Sequence, residues 1–230
     1  MISRYFTGKM KMADVVSANH NLILVMPRLG IPLGFGEHSV QEVCERNGLP
    51  VDLVLLIFNV YTFDDYAPDA DAIHTIDAHR LVAYLESSHA YYLNERLPHI
   101  QRHLVRVASN AGSRYSQILT SFFADYEKEV REHFSCEEQQ VFPYIHSLLQ
   151  GTRNSEALSD HFADNHTALI DTLSDLTRIV YKYLPGDVLI EDLSELVFFV
   201  MQLSSDLEKH ALLEEKVLIP YVKHLERSVQ

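Results

Sequence analysis

Six residues of this sequence have types and spacings suited to holding metal ions: His89, His133, Glu137, His166, His210 and Glu214. Two matched segments carry most of the signal. HFSCEEQQVFPYI, from His133, and HALLEEKVLIPYV, from His210, share His, Glu, Glu, Pro and Tyr at the same five offsets, 77 residues apart. The same offset of 77 relates His89 to His166, Leu85 to Phe162 and Tyr92 to Leu169, an internal repeat of two helix pairs about a pseudo-twofold axis. Each copy also has one histidine 44 residues before its His-x3-Glu segment, His89 before His133 and His166 before His210. Imidazole nitrogen and carboxylate oxygen without thiolate suit iron, manganese or zinc, whereas Mg²⁺ and Ca²⁺ favour all-oxygen shells. If each ion takes two histidines and both glutamates bridge, four-coordinate zinc is nearly closed. Six-coordinate iron keeps positions open for oxygen, nitric oxide, hydroxide or an oxo bridge. A carboxylate-bridged, non-haem pair of iron ions is therefore favoured over manganese or zinc.

Helices must bring these side chains inward. Leu119, Phe123, Tyr126, Val130, His133, Glu137 and Tyr144 fall on one helical stripe, and Leu196, Val200, Leu203, Leu207, His210, Glu214 and Tyr221 fall on another. The histidines and glutamates thus sit on core-facing seams. An ionised carboxylate buried there without a partner costs several kcal/mol, so it needs compensation. A metal-free His–Glu hydrogen-bonded network is the plain alternative, because residues four apart on a helix are neighbours in any case. Duplication of the whole pattern weighs towards a pair of metal ions.

From Ile73 onward apolar residues recur every three or four positions, with interruptions near Ser109 to Ser113, Gly151 to Ser155 and Pro185-Gly186. This predicts an all-α, up-down-up-down four-helix bundle over residues 73–230. Before it, Pro27, Gly30, Pro32, Gly34, Gly36, Gly48 and Pro50 cut residues 1–62 into short pieces, which predicts a small helical domain. Ser39 and Glu42 have capping-box spacing, with Asn47-Gly48 closing that helix. Asp64, Asp65, Pro68, Asp69 and Asp71 mark residues 63–72 as an acidic linker.

The formal charge of −13, with no run of Lys or Arg, excludes non-specific binding to nucleic acid or an anionic membrane. Cys44 and Cys136 lie 92 residues apart, giving neither a disulfide framework nor a thiolate zinc site. Arg4, Lys9, Lys11 and Asp14 interrupt what would be the apolar part of an export signal, and Leu53 to Val60 is too short to span a bilayer. A cytoplasmic protein is the expectation.

Around these residues the chain resembles the hemerythrin-like (HHE cation-binding) domain, and more closely the bacterial di-iron proteins implicated in repair of iron-sulfur centres damaged by nitric oxide and oxidants. The resemblance covers roughly residues 73–230 and is carried by SHAYYLNERLP, HFSCEEQQVFP, SDHFADNHTALID and HALLEEKVLIP. It implies that the first Glu of each pair bridges the irons and that Glu138 and Glu215 stand outside the metal's own ligands. It also implies a role in nitrosative or oxidative stress, reacting with nitric oxide or peroxide, or assisting iron-sulfur cluster repair with iron-sulfur proteins as partners. The alternative is a non-catalytic module that binds oxygen or nitric oxide as a sensor, or simply binds iron. A third reading keeps the bundle as a metal-free or zinc-filled scaffold. Whether the protein is an enzyme stays open, as does a homodimer.

Departures from the family narrow this. Oxygen-carrying hemerythrins have a further histidine one turn before the third-helix ligand, where this chain has Phe162; His161 lies about 140° away on an ideal helix. Fewer imidazoles leave a more open site, which favours the repair-like branch. RLGIPLGFGEHSVQEVCERNGL, from Arg28, resembles the small domain preceding the bundle in that branch, but Gly34-Phe35 stands where an adjacent cysteine pair is found. Cys44 is expected to be a buried, inert thiol in an amphipathic helix. His89 precedes Pro98 by nine residues, one more than in some relatives, which suggests a local bulge between them.

Most other histidines are expected to lie on the surface or in the linker: His20, His38, His74, His79, His99, His103, His146, His161 and His224, with His103 the nearest to a candidate. Cys136 points about 100° away from Glu137. Tyr92 and Tyr126 fall on core stripes near ligand histidines, where packing is the default role and a hydrogen bond to a metal-bound oxygen the alternative. Pro143 and Pro220 are expected to kink or end their helices.

Overall fold

The computed structural model describes residues 4–152, 166–184 and 189–228. The fold is an all-α helical bundle; no strand forms among the described residues, and an isolated bridge pairs Lys11 with Ser39. The early glycines and prolines separate α1 (Met12–Ala18), α2 (Leu22–Arg28), α3 (Val40–Arg46) and α4 (Val51–Thr62). The Ser39 hydroxyl accepts from the Glu42 N–H at 3.2 Å while the Glu42 carboxylate accepts from the Ser39 N–H at 2.8 Å, completing the capping box of α3. Just past its end, Gly48 adopts φ +64°, a left-handed conformation that a Cβ would disfavour.

Arg28 is buried, its guanidinium 5.8 Å from the ring centres of both Tyr61 and Tyr84. The Asn59 side chain accepts from the Phe6 N–H at 2.9 Å, tying the chain's start to α4. Within the acidic stretch, Asp69 accepts from the Ala72 N–H at 2.7 Å and so caps a further helix, α5 (Ala70–Thr75).

The bundle sequence forms α6 (Ala78–Tyr91), α7 (Leu97–Asn110), α8 (Ser113–Cys136), α9 (Phe142–Leu149), α10 (His166–Tyr183), α11 (Ile190–Leu213) and α12 (Ile219–Ser228). The break expected near Ser109 to Ser113 is the short turn at Ala111 and Gly112. Ser155, His161, Phe162, Pro185 and Gly186 lie outside the described residues. The apolar stripes are buried as their periodicity requires, from Leu119 to Tyr144 on one run and from Leu196 to Tyr221 on the other, with His133 half-buried.

The bulge expected after His89 is present as a π-helical turn, π1 (Tyr92–Arg96), joining α6 to α7. Equivalent turns, π2 (Glu137–Val141) and π3 (Glu214–Leu218), join α8 to α9 and α11 to α12. Each is followed by one apolar residue and then a proline: Leu97-Pro98, Phe142-Pro143 and Ile219-Pro220. The N–H before each proline donates to the carbonyl five residues back, that of Tyr92, Glu137 or Glu214. Proline lacks an N–H and its ring crowds the carbonyl four residues back, so a locally wider turn relieves the conflict. Pro143 and Pro220 therefore do not end their helices, which continue as α9 and α12.

By contacts the chain groups into two compact units, one of Met1–Ser88, Ile145–Ser155 and Lys209–Gln230, the other of His89–Tyr144 and Glu156–Glu208. The second has a continuous core that includes Tyr92, Ile100, Leu104, Phe123, Tyr126, Phe134, Leu173 and Leu203.

Candidate metal centre

Helix α8 delivers His133 and Glu137 one turn apart on its buried stripe, with π2 beginning at Glu137. The carboxylate of Glu137, 4% exposed, is met by three imidazoles. His133 Nε2 lies 3.2 Å and His166 Nε2 3.5 Å from Oε1, while His89 Nε2 lies 3.2 Å from Oε2. One oxygen faces one pair of imidazoles and the other faces a third. The ligand-type atoms of His133, Glu137 and His166 all lie within 4.8 Å of one another, and the two rings meet edge to face at 4.5 Å.

His89, wholly buried, is held on both sides. Its ring stacks on Phe134 at 3.9 Å and 9°, with Phe142 5.7 Å away. Its other nitrogen, Nδ1, is 3.0 Å from Oε1 of Glu138, a half-exposed side chain. These two aromatic rings wall the imidazole from water, and Tyr92 packs behind Phe134 at 5.9 Å.

In the other unit, the repeat of this arrangement places His210 Nε2 3.3 Å from Glu214 Oε1, both residues buried. His210 lies in the last turn of α11 and Glu214 opens π3, matching His133 and Glu137 in α8 and π2. The donor set in both places is nitrogen and carboxylate oxygen, with no thiolate, and suits a borderline or hard transition-metal ion. Buried carboxylates of this kind are tolerated only when paired, hydrogen-bonded or bound to a cation.

The remaining candidates have other occupations. His103 Nδ1 is 3.2 Å from Glu195, whose carboxylate also takes Arg106 at 2.9 Å. His74 stacks on His224 at 3.6 Å and His79 on His146 at 5.0 Å. His38 lies 3.8 Å from Glu42. Cys136 is exposed, and Cys44 is buried, with burial pushing its thiol up to about 11. The Tyr92 hydroxyl donates to the Asp206 carbonyl at 3.4 Å. The Tyr126 hydroxyl has no hydrogen-bond partner among the described residues, and burial holds its phenol well above the usual range.

Two features were not read from the sequence. The contact of Glu138 with His89 joins residues 49 apart, and only the doubled Glu of the motif hints at it. The π-turns in the second and fourth helical runs left no mark in a ligand-to-proline spacing of ten residues that is identical in both.

Among the described residues no helix is long and apolar enough to cross a membrane. A family model for the hemerythrin HHE cation binding domain matches residues 80–222. A comparison with curated proteins returned no match.

Proposed function

Because this chain belongs to the hemerythrin HHE cation-binding domain family, we propose that it holds two iron ions and reacts with nitric oxide or peroxide, or assists iron-sulfur cluster repair, under nitrosative and oxidative stress. His89, His133, Glu137, His166, His210 and Glu214 would supply the ligands in this proposal, with Glu137 and Glu214 as the shared carboxylates. The observation that carries it is Glu137, a buried carboxylate with imidazole nitrogens at 3.2 and 3.5 Å from one oxygen and 3.2 Å from the other. That is the placement a bridging carboxylate needs.

Bound iron would supply electrons and open coordination positions for a small ligand. The chain's own residues fix the geometry: Phe134 and Phe142 keep water from His89, and Glu138 holds the far side of that ring. Phe162, where oxygen carriers have a further histidine, supports the repair-like branch over oxygen carriage. The cytosol is the proposed setting, supported by two cysteines without disulfide spacing.

The test is metal analysis of protein purified without chelators, with a near-ultraviolet spectrum, followed by addition of nitric oxide or peroxide to the reduced protein. Two irons per chain and a reaction faster than that of free iron are expected. Zinc, or no metal, or no reaction beyond that of free iron would overturn the reading.

A second reading, a sensor in which a bound diatomic ligand shifts the segment preceding the bundle, is favoured by one observation. Lys209, next to His210, pairs with the Asp64 carboxylate at 2.5 Å. Lys216, two residues after Glu214, donates to the carbonyls of Asp64 and Tyr66 at 3.0 Å each. Hydrogen exchange at residues 64–66 that changes when nitric oxide binds would select this reading; unchanged exchange would remove it.

A further inference from the structure

Resting on the two-metal reading, we infer that Glu138 is the positioning residue for His89 and that it makes the two metal positions unequal. The repeat places Glu138 and Glu215 at corresponding points, directly after each bridging-type glutamate. Their environments differ. Glu138 Oε1 lies 3.0 Å from Nδ1 of His89. Glu215 is exposed and makes no hydrogen bond or ion pair among the described residues.

The chemistry follows from the two ends of one imidazole. A carboxylate can only accept, so the 3.0 Å contact requires a proton on Nδ1 of His89. With the proton there, the lone pair of a neutral ring is on Nε2, the nitrogen 3.2 Å from Glu137 and facing the candidate centre. The plane of the ring is fixed as well, being stacked within 9° of Phe134. Glu138 thus selects the tautomer and fixes the aim of one metal-binding nitrogen, as carboxylates behind metal-bound histidines do. The position served by His89 is pre-organised by a negative charge, while Glu215 gives no such support to the related position.

The experiment uses the full chain stripped of metal and titrated with cobalt(II), whose visible bands report each position, with chelator competition to rank affinities. Glu138→Ala is expected to weaken the position served by His89 by about 10- to 100-fold and leave the other unchanged. Glu138→Gln, whose amide oxygen still accepts from Nδ1, should recover most of that loss, and Glu215→Ala should alter neither position. The independent readout is the His89 Nδ1–H resonance in nitrogen-15 NMR, expected to be slow to exchange in the parent and in Glu138→Gln and absent in Glu138→Ala. Equal weakening of both positions, no weakening, or a Nδ1–H resonance that survives in Glu138→Ala overturns the inference. If the parent chain itself binds fewer than two cobalt ions, the two-metal reading fails, and the resonance still decides whether Glu138 orients the ring.

Discussion

In the proposed centre Glu137 concentrates the chemistry in one side chain, and its substitution tests metal binding apart from folding. Glu137→Gln keeps the volume and a hydrogen-bonding oxygen but removes the charge that a bridging ligand must carry. The parent protein should gain about 2.7 kcal/mol of stability when free metal is 100 times its dissociation constant, by mass action on the folded state. The variant should gain almost none at the same concentration, with its helical circular dichroism unchanged. Urea unfolding with and without cobalt(II) measures both, and a variant still stabilised by metal would remove Glu137 from the ligand set. Cys44 gives a prediction of the opposite kind, about a group without chemistry. Burial raises its thiol from 9.0 to about 11, so the folded chain keeps the proton after the unfolded chain has lost it. The stability this gives is complete below pH 9, and it is lost as the pH climbs through about 11. Urea midpoints compared near about pH 8 and about pH 10.5 should therefore fall further for the parent than for Cys44→Ala. Both residues were legible in the sequence because they sit on amphipathic helices whose inward face is fixed by period alone. Glu138 was not, because the residue after a core position points aside by about 100° and no spacing rule says which histidine it meets.

At the scale of elements, the helices were legible and their irregularities only partly so. Ser39 and Glu42 announce the start of α3 through a local pattern, and the structure forms both of its hydrogen bonds. The π-turns depend on a balance the sequence does not display: a proline that could have kinked or stopped each helix is absorbed by one extra residue in the preceding turn. Only the nine-residue step from His89 to Pro98 betrayed one of them. Their consequence is register. Everything after π2 is rotated relative to a continuous α-helix, which is why Phe142, Tyr144, Ile145 and Leu148 are buried while Pro143 is exposed. Deleting Gln140 should convert π2 to ordinary helix and turn α9 by about 100°. Exposing two of those side chains would cost about 3–6 kcal/mol, whereas Gln140→Ala should cost little. Urea denaturation of the two variants distinguishes them, and equal stabilities would show that π2 does not set the register of α9.

For the whole molecule, the acidic balance was legible and the long-range contacts were not. A formal charge of −13 with 19 Lys and Arg leaves few cations, so where each lysine goes has weight. Two of them flank the second His–Glu pair and reach back about 150 residues to the stretch we propose as the connection between the amino-terminal domain and the bundle. Sequence periodicity cannot reveal such a contact, since nothing in residues 63–72 repeats or alternates with residues 209–216. The two lysines are not equal. Asp64 is 90% exposed, so its ion pair with Lys209 is well solvated and holds the segment weakly. Lys216 instead donates to two backbone carbonyls, one of them in a part-buried contact, and charge-assisted bonds of that kind are the stronger class. Lys216→Met should therefore speed hydrogen exchange of the Tyr66 amide by about tenfold, and Lys209→Met by much less. That amide is a suitable probe because it donates to the Phe63 carbonyl at 2.9 Å within the same turn. If the Lys209 variant proves the more disruptive, the ion pair and not the carbonyl clasp holds this segment.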